Sequence, residues 1–193
     1  MQDPPEDLTV VLLCGGAATR MGGVDKPLQP LDGEAMVSRV RRALPSTRVL
    51  ISANRNLATY ATYGEVVTDA TVLGRHPKAQ GPLVGILAAL KQCTTQWLLV
   101  CPGDTPFIEP SWWHTMYAAG QRTGSPMVSY DGQRQQHLHV LLPQSSREGI
   151  EQFIAAGRHE VYLCLRELDA QRVTFDDPAP FRNINTLDEL RNR

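Results

Sequence analysis

The chain has 193 residues, 42% of them hydrophobic, which is enough for one large domain with a proper core. Its 19 Lys+Arg against 20 Asp+Glu leave a formal charge of −1, which argues against a general electrostatic footprint for nucleic acid. No apolar run approaches the roughly 18 residues that a membrane span needs.

The opening "MQDPPEDLTV" is acidic and carries proline, unlike the basic then apolar start of a signal peptide. Residues 1–7 are expected as a disordered tail and the chain as cytoplasmic. "TVVLLC" reads as a strand without polar alternation, as expected for one buried on both faces. A glycine-rich stretch, "GGAATRMGGVDKPL", follows. "EAMVSRVRRAL" then places Met36, Val37, Val40, Ala43 and Leu44 on one helical face, and Pro45 ends it. "RVLISAN" and "EVVTD" are further strands, "PLVGILAALKQC" a helix and "QWLLVCPGD" another apolar strand. "PSWWHTMYAAGQ" is a helix with Ser111 as N-cap and Gly120 near its end. Two alternating runs flank Asp131-Gly132, a hairpin signal. "SREGIEQFIAAG" is a helix with Ser145 and Glu148 spaced as a capping box and Gly157 as its stop. Thr186 and Glu189 form a second such box, which predicts a final helix from Leu187. Of the four cysteines, Cys14, Cys93, Cys101 and Cys164, none makes a C-x-x-C pair, so reduced, partly buried thiols are expected.

Alternating strand and helix predicts a single three-layer α/β domain over 1–193, with a parallel-dominated sheet and an antiparallel hairpin. Ligands gather at the carboxyl ends of strands in such sheets, which is where the glycine loop lies. The loop is not a P-loop, because Lys26 is followed by Pro27, and it lacks G-x-G-x-x-G. Gly15 and Gly16 would let backbone N–H groups approach a ligand closely, while Arg20 and Lys26 would bind phosphate oxygens. A tight strand-to-helix turn with two solvated cations explains the local residues equally well. Asp104, just past the strand "WLLVCPG", is the metal candidate, since Mg2+ prefers carboxylate and keeps several waters. The plainer reading of "PGDTP" is a β-turn. His137 and His139 would share one face of a strand, but two histidines without a third ligand point to hydrogen-bonded structural residues.

"LCGGAATRMGGVDKPL" resembles the nucleotidyltransferase signature L-x-G-G-x-x-x-R-M-G-x-x-D-K. "ANRN", "VVTD", "GPLVG", "CPGDTPF" and "FRNINTLDEL" follow in order. As a set, from about Val10 to Leu190, these are similar to the molybdenum cofactor guanylyltransferases of the MobA type. The resemblance implies a Rossmann-like nucleotidyltransferase fold that transfers GMP from GTP to the terminal phosphate of molybdopterin and releases pyrophosphate. It implies Mg2+ as cofactor, Arg20, Lys26 and Asp104 as catalytic residues, and proteins of molybdenum cofactor biosynthesis and insertion as partners. It places the nucleotide near Leu13, Cys14, Gly15, Gly16, Gly23, Lys26, Asn54, Asp69, Gly81, Gly85 and Asp104. A carboxylate can accept both N1–H and the N2 amino hydrogens of guanine, so Asp69 is a reasonable guanine reader with Asn54 beside it. Gly81 and Gly85 bracket a helix start, where backbone donors favour an anionic or ribosyl group. Asn183 and Asn185 could face the metal or the second substrate, or simply form a loop and a cap.

The chain also departs from the pattern. Relatives tend to carry His-Pro after the hairpin where this chain has His137-Leu138, which bears on the pterin contacts. The segment Ala70–Gln80 looks longer than in close relatives and reads as a mobile surface loop, either a basic lid or a tolerated insertion. A cytidylyltransferase of the same fold is the alternative enzyme, and a nucleotide- or pterin-binding adaptor the non-enzyme alternative. Arg20, Lys26 and Asp104 together argue against an adaptor, because binding alone needs no such combination.

Overall fold

The computed structural model describes residues 4–15 and 25–184. β1 (Leu8–Leu13) leads to a 3-10 turn at Lys26–Leu28, a small ribbon of β2 (Pro30–Leu31) and β3 (Glu34–Ala35), and α1 (Met36–Ala43). Next come β4 (Arg48–Ser52), α2 (Leu57–Tyr60), β5 (Glu65–Val67), α3 (Ala70–Leu73), α4 (Pro82–Gln92) and β6 (Trp97–Pro102). The second half adds α5 (Pro110–Thr123), β7 (Met127–Tyr130), β8 (Gln135–Pro143), α6 (Ser146–Ala155), α7 (Val161–Glu167) and β9 (Gln171–Thr174).

Seven strands form one sheet in the order β5-β4-β1-β6-β8-β7-β9. Pairing is parallel for β5/β4, β4/β1, β1/β6 and β7/β9, and antiparallel where β8 meets β6 and β7. This is the parallel-dominated sheet with an antiparallel hairpin that the sequence predicts. Alternate residues of β1 and β6 feed two separate cores, which explains why these strands lack polar alternation. Leu8, Val10, Leu12, Leu99 and Cys101 pack with Val40 of α1 and with Trp112 and Met116 of α5. Val11, Leu98 and Val100 pack instead with α4, α6 and α7. No helix among the described residues is long and apolar enough to cross a membrane. All four cysteines are free and buried, and burial pushes the Cys101 thiol up to about 12 and Cys164 up to about 11.

Several local expectations need correction. Glu109 rather than Ser111 sits at the start of α5, with Pro110 in the first turn, where its fixed φ suits a helix and its missing N–H costs nothing. Gly120 lies inside α5, where an added Cβ would come within 2.4 Å of Leu141 Cδ2; the helix ends at Gly124, φ +71°. Ser145 makes no side-chain capping bond, and Glu148 accepts from Gln152 Nε2 at 3.2 Å, so the first capping box does not form. Gly157, φ +77°, does stop α6. The Thr186–Glu189 box and the helix expected from Leu187 lie outside the described residues. At the hairpin, Asp131 Oδ1 accepts from the backbone N–H groups of Gln133 and Arg134, at 2.9 and 2.7 Å. α2, α3, α7, the β2–β3 ribbon and β9 are too short or too exposed to have left a periodic signal.

The reading of Ala70–Gln80 as a mobile loop gives way to a docked segment. Its first residues form α3, Val72 is fully buried, and Leu73 and Ala79 pack on the α4 side of the core. Burying one valine contributes roughly 1.5–3 kcal/mol, which favours a fixed segment over a swinging lid. Ahead of β1, the Asp7 carbonyl accepts from Trp97 N–H at 3.0 Å and its carboxylate from Tyr117 OH at 2.5 Å, so Asp7 is tied to the sheet.

Candidate active site

The site forms because three parallel strands end level with one another. Leu13 lies opposite Ser52 on one side and Pro102 on the other, so the segments leaving β1, β4 and β6 emerge together. They are cross-linked at once: Cys14 N–H donates to Ser52 O at 2.9 Å and Gly103 N–H to Leu13 O at 3.0 Å. Two glycines permit this crowding. A Cβ on Gly103 would stand 2.6 Å from Cys14 Sγ, and one on Gly85 would stand 2.3 Å from Ser52 Oγ. Gly85 is therefore a packing residue inside α4, one turn beyond the helix start at which it was expected. The start itself is Gly81, exposed, with φ +82° and open space beside it.

Two polar pairs stand at these strand ends. Beyond β6, Lys26 Nζ donates to Asp104 Oδ2 at 2.6 Å, with side chains only 19% and 20% exposed. The expectation of a lysine on an exposed loop is corrected, since Lys26 opens the 3-10 turn and lies largely covered. Beyond β4, Asn54 Nδ2 donates to Asp69 Oδ2 at 2.8 Å while Asp69 N–H donates to Asn54 Oδ1 at 3.0 Å. This two-bond clasp joins the ends of β4 and β5, and Asn54 lies beside Gly15, whose Cβ position is 3.5 Å from Asn54 Nδ2. Gly16, Arg20, Gly23 and Asn185 lie outside the described residues.

The residue that sequence reasoning passed over is Asp25, although it directly precedes Lys26 in the quoted motif. Its side chain is 4% exposed and accepts from Tyr60 OH at 2.8 Å, Asn56 Nδ2 at 2.9 Å and Arg55 Nε at 3.2 Å. Burial holds the Tyr60 hydroxyl well above its ordinary pKa, with the neighbouring Cys14 and Asp25 adding to it, so Tyr60 stays a donor. Beneath both carboxylates sits Cys14, its thiol raised well above the ordinary value by burial first and then by Asp25 and Asp104. Burial and the two nearby carboxylates keep Cys14 a neutral thiol.

Among the described residues, no group of three or more His, Cys, Asp or Glu could hold a metal ion by itself. Asp104 supplies one carboxylate, beside the Lys26 ammonium, and one carboxylate fits a hard divalent ion that completes its shell with substrate oxygens and water. At Pro102, the last residue of β6, a cleft of about 430 Å3 is lined also by Arg134, Gln136, His137 and Asn183. Asn183 thus stands with Pro102 at the end of β6, two residues before Asp104, and half-buried His137 lines the same cleft.

His139 is structural, as expected. It is fully buried, hydrogen-bonded to Thr105 Oγ1 at 3.3 Å and edge-on to Trp112 and Phe181 at 5.5 and 5.1 Å. Burial lowers its pKa from 6.5 to about 3. The folded state therefore resists protonation, so stability present above 6.5 drains away as pH falls toward 3. The expected slope approaches about 1.4 kcal/mol per pH unit from this group. Urea melts across that range should show a steeper loss for the wild type than for His139→Gln; equal slopes would remove His139 as the cause.

Comparison with known proteins agrees with this geometry. Residues 10–172 match the family model of the MobA-like NTP transferase domain. A molybdenum cofactor guanylyltransferase of Cupriavidus pinatubonensis is 40% identical over 96% of this chain and 96% of its own. One from Shewanella putrefaciens is 37% identical over 96% of this chain and 95% of its own. The crystal structure of molybdopterin-guanine dinucleotide biosynthesis protein A from Archaeoglobus fulgidus shares the fold, with a TM-score of 0.77 at 22% identity and 95% coverage of both chains. Levelled strand ends, a lysine–aspartate pair and whole-length similarity converge: this chain belongs to the MobA-like NTP transferase family and is a nucleotidyltransferase.

Proposed function

We propose that this enzyme transfers GMP from GTP to the terminal phosphate of molybdopterin, giving a guanine dinucleotide form of the molybdenum cofactor and pyrophosphate. The observation that carries the reading is the pairing of Lys26 with Asp104 at the end of β6, beside the Asn54–Asp69 clasp at the end of β4. One pair suits a triphosphate and its cation, the other a base with adjacent donors. The clasp takes one lone pair of Asp69 Oδ2, and the two carboxylate oxygens together remain acceptors for the guanine N1–H and an N2 hydrogen. Leu13, Cys14 and Gly15 form the floor under the nucleotide, and Gly81 brings backbone donors near its ribose. Arg20, Gly16 and Gly23 lie outside the described residues; in this reading Arg20 is a second cation for the phosphates.

The acceptor is a phosphate monoester with a second pKa near 6, already ionised at neutral pH, so no protein base is needed. Its oxygen bonds to the α-phosphorus as the bond from that phosphorus to the bridging oxygen breaks, and pyrophosphate carries the electron pair away. Lys26 binds the anionic oxygens and offsets the charge that gathers on the leaving group. Asp104 would hold a divalent ion, Mg2+ in this reading, which supplies further charge neutralisation when bound. The cleft at Arg134, His137 and Asn183 receives the pterin substrate; its cation and amide donors suit an anionic, heteroatom-rich molecule. The four free cysteines suit a reducing cytoplasm.

A ligand at 100 times its dissociation constant stabilises a fold by about 2.7 kcal/mol. Thermal melts with Mg2+ should therefore rise most with GTP. An equal or larger rise with CTP would overturn guanine selectivity in favour of a cytidylyltransferase.

A further inference from the structure

We propose that Asp25 is a positioning residue that ties Lys26 to the base-reading segment after β4, setting the distance between triphosphate charge and base recognition. The inference rests on the functional reading above for the identity of the nucleotide, but its geometry stands on Asp25 itself. A buried carboxylate is costly unless its oxygens are met by donors. Asp25 meets three, all from the stretch directly following Asn54: Arg55 Nε and Asn56 Nδ2 on Oδ2, and Tyr60 OH on Oδ1. Its own carbonyl accepts from Leu28 N–H at 3.1 Å, which closes the turn that presents Lys26.

A second feature points the same way. Asn56 has φ 50°, a left-handed conformation that non-glycine residues seldom adopt, and it stands at the N-terminus of α2 without making a side-chain capping bond. An asparagine there would ordinarily cap its own helix. Its amide is committed to Asp25 instead, so local preference has yielded to the tertiary bond. α2 has few other holds: Leu57 is 42% exposed and only Tyr60 of the helix is buried, and Tyr60 is itself a donor to Asp25. One carboxylate therefore fixes a short exposed helix and a loop end that are about thirty residues apart. Lys26 lies one residue from the clamp on one side, and Asn54 one residue beyond Arg55 on the other. Asp25 touches neither base nor phosphate; it sets where their partners stand.

The test uses the full-length enzyme and three variants, Asp25→Asn, Asn56→Gly and Tyr60→Phe, each checked by circular dichroism. Asn56→Gly is the most informative, because glycine accepts the left-handed backbone freely while one donor to Asp25 is lost. Misplacing a reacting group by about 1 Å can cost on the order of 10²-fold in turnover. Folded variants should lose about 10-fold or more in turnover and show a smaller ratio of GTP to CTP affinity, measured by calorimetry with Mg2+. A residue that only stabilised the fold would lower the melting temperature and leave that ratio unmoved. Wild-type turnover and nucleotide preference with Asn56→Gly and Tyr60→Phe would overturn the proposal, even if Asp25→Asn fails to fold. A wild-type enzyme that does not prefer GTP would instead refute the guanylyltransferase reading, which keeps the two failures apart.

Discussion

Asp104→Asn is expected to lose at least about 10²-fold in turnover while keeping its fold, the scale seen when one preorganised electrostatic group is removed. Asparagine preserves the shape of the side chain and a carbonyl acceptor for Lys26 Nζ, 2.6 Å away in the native protein. What it removes is negative charge at the strand end where a divalent ion would bind. The contribution is concentrated in the transition state, so KM for GTP should change less than turnover. Cys14 would also lose one of the two carboxylates that raise its thiol, which is no threat to folding. A Mg2+ titration of activity in both proteins is the check. Near-normal activity with the same Mg2+ midpoint in the variant would make Asp104 a turn residue and refute the proposed metal site.

Lys26→Ala is expected to reduce turnover by a similar or larger factor, for a different reason. The lysine meets charge that builds on the departing pyrophosphate, and alanine leaves Asp104 without the 2.6 Å ion pair. The pair is about four-fifths covered, so the loss of stability should fall between the ~1 kcal/mol of an exposed pair and the roughly 3–5 kcal/mol of breaking a buried one. For a chain of this size each kcal/mol shifts the melting temperature by about 2–4 °C, so the variant should melt lower but still fold. Lys26→Arg should recover little activity, since a planar guanidinium cannot occupy the place of a compact ammonium in a largely covered site. A Lys26→Ala protein that unfolds, or one that folds and turns over normally, would show that Lys26 serves the fold instead of the reaction.

Much of this was legible in the sequence wherever burial imposed a pattern. β1 and β6 were visible because strands covered on both faces must be apolar throughout, and α4 because its buried faces leave few polar positions. Asp131-Gly132 announced the hairpin because the aspartate bonds its own turn and Gly132 takes φ +88°. Asp104 and Lys26 were visible as chemistry, a carboxylate after an apolar strand and a cation in a glycine loop. Signals that depend on competing local bonds failed. Ser111 and Ser145 are acceptable caps by residue type, but Pro110 set the start of α5 and Ser145 made no capping bond. Ala70–Gln80 looked mobile from its glycine, proline and charge, yet Val72 found a buried site on the α4 side that local composition could not disclose.

The sequence alone determined that the chain is an α/β protein with a glycine- and cation-bearing stretch after its first strand and an aspartate just past another strand. Apolar runs, turn residues and motif spacing are local properties, and local properties can be read in order. Only the tertiary structure decided which of these groups meet. Lys26 and Asp104 are 78 positions apart, and they pair because β1 and β6 lie side by side in register, level at Leu13 and Pro102. Asp25 had no role in the sequence beyond its place in a motif, because its donors Arg55, Asn56 and Tyr60 stand about thirty residues away and nothing in residue order joins the two stretches. Parallel pairing brings distant strand ends to one edge of the sheet, and a buried carboxylate binds whichever donors it finds there.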